Sequence, residues 1–299
     1  MIKKKNKAPL IIIGVGGASS SGKTTLFNSI SNYLTQENSV HFDLDGYHFH
    51  SRKKRKELNE FPEDLKANDF NKIINDIMSL KSGKTIDMPF YNHIKGNFSS
   101  QISLSPKPII FVEGLHAIMI NDISQQKITD LSIFLYPDDN LRKSWKVKRD
   151  VNERGYFYSQ AIEQIANRKN LVSENIYSQI KIADILVHIH RRKNNFLDHR
   201  VLLSHTFYDK YPNENPIRKL LLNYFNMKEI IFKDKQYIEI HLKNNSEMID
   251  SLKEKISYLG LLTSIPMPTS HSKNHYSFTE IVDILIVLMM IILIGENYG

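Results

Sequence analysis

The stretch "GVGGASSSGKTTLF", Gly14 to Phe27, constrains the fold more than any other part of the chain. Gly17 through Thr24 reads G-x-x-x-x-G-K-T in full. Glycines at those positions let backbone N–H groups curl around phosphates. The motif carries meaning only between a strand and a helix. "PLIIIGVGG" before it is a short apolar run that predicts a buried strand, and "KTTLFNSISNYLT", Lys23 to Thr35, has the apolar spacing of a helix. The positive end of that helix adds to the cradle. Gly17, Ser19, Ser20, Ser21, Gly22, Lys23, Thr24 and Thr25 are therefore candidate nucleotide-binding residues. Lys23 is expected at the β- and γ-phosphates and the Thr24 hydroxyl at Mg²⁺, which makes ATP and Mg²⁺ the implied cofactors.

Strand and helix patterns alternate after the loop. Ser39–Asp45, Lys107–Ile118 ending its apolar core at Glu113, Asp130–Asp139 and Ala183–His190 read as strands. Asp69–Lys84, closed by Gly83, and Asp139–Lys169, broken near Gly155, read as helices. Such alternation predicts an α/β fold: a parallel sheet with helices on both faces. Ligands on these sheets bind beyond the carboxyl ends of the strands, where the glycine loop, Asp45 and Glu113 fall. The pattern changes near residue 192. We read residues 8–192 as a nucleotide-binding domain and 193–299 as a small extension packed on it. In that extension Lys228–Leu242 reads as two strands around "KDKQ", Ser246–Ile256 as a helix, and Ile265–Ser277 as a loop.

The chain has no cysteine, which excludes disulfides, thiol nucleophiles and thiol redox control and fits a reducing cytoplasm. "MIKKKNKAP" reads as a solvated terminus rather than a signal peptide. A formal net charge of +8 favours anionic partners, but no stacking or RNA motif is present, so nucleic acid is not expected. Ile281–Gly295 is very apolar and spans 15 residues, short of the roughly 20 that cross a bilayer. It reads as a buried terminal helix or a dimer face; membrane contact is disfavoured but open, as is a homodimer. His48-x-His50 and His188-x-His190 lack a third ligand at plausible spacing, so neither is read as a metal centre.

The glycine loop alone fits a motor, a switch GTPase or a small-molecule kinase. A base-reading N-K-x-D is missing and the chain is short for a motor, so a small-molecule kinase is the simplest class. Such an enzyme needs an acceptor pocket and a base. "DLDGYHFHSRKKR" lies where that pocket belongs. Asp45 can take the proton of an attacking hydroxyl or hold Mg²⁺ through water. His48 and Arg52 follow, and a guanidinium suits a bidentate hold on a substrate phosphate. On a helix, Lys146, Arg149 and Asp150 share one face, where cations can neutralise charge on a transferring phosphoryl group.

The chain resembles the phosphoribulokinase and uridine kinase family, most closely its plant and cyanobacterial phosphoribulokinases. The resemblance rests on "DLDGYH", "DLKANDF", "PFYNHIKGNF", "IIFVEGLHAI", "DLSIFLYPDDNLRKSWKVKRDVNERGY" and "AIEQIANRK", which occur in family order over about residues 10 to 190. It implies that Asp45 is the catalytic base and that Glu113 supports Mg²⁺. It implies that Arg52 and Arg154 hold a sugar phosphate, with His48, Tyr91 and His93 in the phosphoribulokinase form of the acceptor site. Lys146 and Arg149 would face the phosphates, Arg149, Asp150, Arg154 and Gly155 reproduce the family's R-D-x-x-x-R-G, and Arg168 with Lys169 resembles a lid element near ATP. The acceptor so implied is a pentose phosphate, ribulose 5-phosphate first; uridine or cytidine, another sugar phosphate or polyol, and an idle nucleotide-binding regulator are the alternatives. The chain departs from plant phosphoribulokinases at the glycine loop, where Ser19 to Ser21 replace a regulatory cysteine.

Overall fold

In a computed structural model, residues 11–32, 38–191 and 197–242 are described. They form one eight-stranded sheet flanked by helices. Its strands are β1 (Ile11–Gly17), β2 (Ser39–Asp43), β3 (Ile109–Glu113), β4 (Leu131–Pro137), β5 (Ile185–Arg191), β6 (Leu197–Ser204), β7 (Phe225–Phe232) and β8 (Lys235–Leu242), in the spatial order β7-β8-β6-β5-β4-β1-β3-β2. β2 through β5 run parallel with β1, and β6, β8 and β7 add antiparallel strands. The sheet is thus mixed with a parallel majority, where the sequence predicted a parallel one. The strands after residue 192 continue the same sheet.

β1 sits between β3 and β4 and is buried along its whole length, as its unbroken apolar run requires. Ile11, Ile13 and Val15 meet Leu26 and Ile30 of α1 (Lys23–Ser31) on one face. Ile12 meets Ile73, Ile77 and Leu80 of α3 (Phe70–Lys81) on the other. The Asp69 side chain caps α3 by accepting from Lys72 N–H at 2.9 Å. α2 (Arg52–Leu58) and α4 (Ile120–Ser124) are shorter. The long basic pattern divides at Gly155, whose φ of 71° ends α5 (Asp139–Arg154) before α6 (Tyr158–Asn167) begins.

Two predicted boundaries beside the cleft shift. α1 ends at Ser31, and residues 33–35 of its predicted length lie outside the described residues. β2 ends at Asp43, because the Asp43 carboxylate accepts Asp45 N–H at 2.9 Å and starts a 3₁₀ turn over Leu44–Tyr47; Asp45 is on that turn and not on the strand. β3 ends at Glu113, as the sequence predicts; at Gly114 the backbone passes close to Leu44, and a Cβ there would lie 2.6 Å from Leu44 Cβ. The β7–β8 hairpin turns on Lys233 and Asp234, with φ of 50° and 60°, as a two-residue turn between twisted strands needs. The helix expected at Ser246–Ile256, the loop at Ile265–Ser277 and the apolar run at Ile281–Gly295 lie outside the described residues. Among the described residues, no helix is long and apolar enough to cross a membrane.

Candidate active site

A cleft of about 1630 Å³ opens beyond the carboxyl ends of the parallel strands. A single small ligand needs roughly 300–1,000 Å³, so the space suits two substrates side by side. Of the residues that the sequence singles out as site candidates, all but Gly17, Gly155 and Lys169 line it. Gly17 shapes the loop from behind: its φ is 147°, and a Cβ would lie 2.5 Å from Ser21 Oγ.

The glycine loop forms one end of the cleft. Gly22, at φ 94°, is the N-cap of α1. Lys23 Nζ donates to the loop's own Gly17 and Ala18 carbonyls at 3.0 and 3.3 Å. Burial lowers the Lys23 pKa, against the charges of Glu113 and Asp45. Ser20 Oγ and Ser21 Oγ are buried with no hydrogen-bond partner among the described residues. The Thr24 hydroxyl donates to Glu113 Oε1 at 3.0 Å. Unsatisfied hydroxyls beside a helix N-terminus suit phosphate oxygens. Thr24 and Glu113 offer paired oxygen donors of the kind a hard cation such as Mg²⁺ takes together with phosphate and water. These residues therefore fit a magnesium nucleotide.

The other end is built around Asp45. Gly46 is required there, since a Cβ on it would lie 1.9 Å from Pro89 O. That close approach brings the "PFYNH" segment against the 3₁₀ turn. His93 Nε2 then lies 3.1 Å from Asp45 Oδ2, and His48 Nε2 lies 4.0 Å from Oδ1. Burial opposes ionisation of Asp45, but the hydrogen bond and charge of His93, helped by Lys23, outweigh it and hold the carboxyl well below the usual range. Burial pushes His48 down to about 4, so it is neutral at pH 7.

Ser51 caps α2 by accepting from Lys54 N–H. The helix then turns Arg52 and Arg55 toward the cleft. Arg52 donates to the His93 carbonyl and lies 5.4 Å from the Tyr156 ring centre. Arg55 is buried and donates to His50 O at 2.5 Å and Tyr91 Oη at 3.0 Å; neither acceptor is anionic.

α5 brings three cations to one acid. Asp150, 1% exposed, lies 2.5 Å from Lys146, 2.9 Å from Arg149 and 3.8 Å from Arg154. Burial lowers the Lys146 pKa to about 8. Arg149 also donates to Ser19 Oγ at 3.0 Å, which ties α5 to the glycine loop. Arg168 pairs with buried Glu63 at 3.5 Å. The pair His188 and His190 stacks at 4.9 Å on β5, and His188 Nε2 meets Asp138 at 2.8 Å.

Sequence reading missed His41, Asp43, Arg55 and Glu63 as cleft residues. His41 and Asp43 alternate with buried Val40 and Phe42 on β2, so a period of two marks them as one face. Burial, then the adjacent Asp45 charge, pushes the Asp43 carboxyl up to about 7. An unfolded Asp titrates near about 3.9. Between those values the folded state binds more protons, so stability falls as pH rises through the window. Asp43→Asn keeps an acceptor for Asp45 N–H. In the metal-free protein it is expected to leave Tm near pH 4 unchanged and to raise it at pH 8 by several degrees, at roughly 2–4 °C per kcal/mol. Equal melting of the two proteins at pH 8 would contradict a buried charge at Asp43.

A model of the phosphoribulokinase / uridine kinase family matches residues 12–195, more than half of the chain. The chain belongs to this family. Phosphoribulokinase of Synechocystis sp. is 30% identical over 180 residues, covering 60% of this chain and 54% of that protein. Uridine kinase of Ligilactobacillus salivarius is 30% identical over 198 residues, covering 62% of this chain and 88% of that protein. The chain thus spans about half the length of the phosphoribulokinases it matches. The solved phosphoribulokinase of Rhodobacter spheroides shares the fold, with a TM-score of 0.53 at 17% identity over 85% of this chain and 98% of that one. The family match stops just short of β6, yet Leu197 and His199 of β6 line the cleft. The phosphoribulokinase / uridine kinase scaffold is therefore completed here by a strand beyond the matched region.

Proposed function

We propose that the chain is an ATP- and Mg²⁺-dependent kinase that transfers the γ-phosphoryl group to a hydroxyl of a pentose phosphate, ribulose 5-phosphate being the acceptor favoured. The observation that carries this reading is the acceptor end of the cleft: Asp45 is held ionised by His93, and Arg52, Arg55 and Arg154 line the same cleft. Arg55 is buried with no anionic hydrogen-bond acceptor among the described residues, so an anionic acceptor would complete its surroundings. A nucleoside brings no such charge.

In this reading Ser19 to Thr25 and Arg168 bind the nucleotide, with Lys23 leaving its loop carbonyls for the phosphates. Thr24, Glu113 and Asp45 hold Mg²⁺, which would neutralise phosphate charge. Asp45 accepts the hydroxyl proton. His48, Tyr91, His93, Arg52 and Arg154 orient the sugar phosphate, and Lys146 and Arg149 stabilise charge on the transferring group. Asp150 holds those cations in place. Positioning of the two reactants is the largest contribution expected of such a site. Residues 8–192 would carry most of this chemistry, in a cytoplasmic enzyme that acts on small molecules.

The uridine kinase relative, matched over most of its length, supports a second reading as a nucleoside kinase. A screen of ATP consumption with Mg²⁺ and ribulose 5-phosphate, ribose 5-phosphate, uridine or cytidine separates the two. Turnover with ribulose 5-phosphate alone is expected. Turnover with a nucleoside alone would replace the reading, and nucleotide binding without turnover on any acceptor would move it to another acceptor or an idle regulator.

A further inference from the structure

The metal end of the cleft contains a residue that neither the motif nor the charge pattern explains. His41 projects from β2 into the cleft. Its ring stacks on Phe27 of α1, with centroids 4.3 Å apart and planes 17° apart. Phe27 is fixed in turn by an edge contact with Phe111 of β3 at 5.4 Å. The stack sets the imidazole plane and aims Nε2 at Glu113 Oε2, 2.9 Å away. The other Glu113 oxygen accepts the Thr24 hydroxyl at 3.0 Å. Glu113 is thus gripped at both oxygens, one by an aromatic-locked imidazole and one by the hydroxyl expected at the metal.

That hydroxyl has one proton. Donating it to Glu113 leaves the Thr24 oxygen lone pairs as its remaining capacity, the form a cation needs. Rotation of the Glu113 carboxylate would release the Thr24 proton and turn the hydroxyl. A group that prevents this rotation tunes the cation site without touching it, as hydrogen-bonded partners of metal-site side chains generally do.

We propose that His41 is a positioning residue that fixes Glu113, and through it the Thr24 hydroxyl, so that the site prefers magnesium-bound over metal-free nucleotide. The inference rests on the kinase reading above. His41 belongs to β2 and lies outside the glycine loop and the basic helix, so it adds a third element to the nucleotide end of the cleft.

The test is calorimetric binding of a non-hydrolysable ATP analogue, with Mg²⁺ and with chelator, to the full-length wild type, His41→Leu and His41→Gln. Removing such a partner typically costs about 10–100-fold in metal affinity. His41→Leu is therefore expected to weaken binding of the magnesium complex by about tenfold or more and to leave metal-free binding within about twofold. His41→Gln, whose amide can donate from nearly the same place, is expected to recover most of the loss. Equal weakening of both forms, or no weakening of either, would overturn the positioning role, as would a Gln variant no better than Leu. Failure of the wild type to bind the analogue at all would overturn the kinase reading, and this inference with it.

Discussion

Asp45→Asn is expected to lower kcat by about 10²–10⁴-fold, the range general-base removal costs, while affinity for metal-free nucleotide stays within about twofold. The substitution is isosteric and deletes only the charge. That charge is what the surroundings maintain: burial works against it, and the His93 contact at 3.1 Å with Lys23 nearby more than offsets burial. Because the carboxyl is held below its unfolded value, the stability it contributes is present above about pH 4 and is lost as pH falls toward the folded value. Asp45 therefore stays ionised across the neutral range and contributes no acid limb there. The check is a steady-state kcat and KM for both substrates, with thermal melting to confirm folding. An unchanged kcat would remove Asp45 from the chemistry. A large rise in nucleotide KM with kcat intact would leave it the metal role alone and take the base role from it.

Asp150→Asn is expected to cost both stability and rate. The carboxylate is 1% exposed and is shared by Lys146, Arg149 and Arg154. Deleting one side of a buried ion cluster costs about 3–5 kcal/mol, because the cations remain buried and uncompensated. At roughly 2–4 °C per kcal/mol, a fall in Tm on the order of 10 °C follows. The rate falls with it, since Lys146 and Arg149 lose their common anchor. The informative comparison is the double variant Lys146→Met with Asp150→Asn. Removing one stranded cation is expected to return part of the lost stability, so the cycle is non-additive. Additive losses in the cycle would mean that the 2.5 Å contact carries no coupling.

The readable parts of this site are those that local chain sequence encodes. The glycine loop, its flanking strand and helix, and the three- and four-residue spacing of Lys146, Arg149, Asp150 and Arg154 are contiguous, so spacing alone places them. Family order then supplied Tyr91 and His93, which no local pattern would have carried to Asp45. That contact depends on the approach of Gly46 to Pro89, across 43 residues of chain. Asp43 was passed over because its own side chain ends the strand and shifts Asp45 onto a turn. His41 was missed because its partners, Phe27 and Glu113, come from two other elements. β6 is buried over most of its eight residues and offers no alternation to separate it from a helix segment.

The central position of β1 also bears on how the chain is made. Ile11 pairs with Ile109, and Ile13 pairs with Leu131. Neither partner exists when β1 leaves the ribosome. At about 5–20 residues per second, the wait until Leu131 is synthesised is roughly 5–25 seconds. During that interval an all-apolar strand has neither of its neighbours to pair with. The phosphate-binding loop that follows β1 is therefore assembled only once β3 and β4 are made, although it is translated before them. Chaperone shielding over this interval is expected to raise the yield of folded protein.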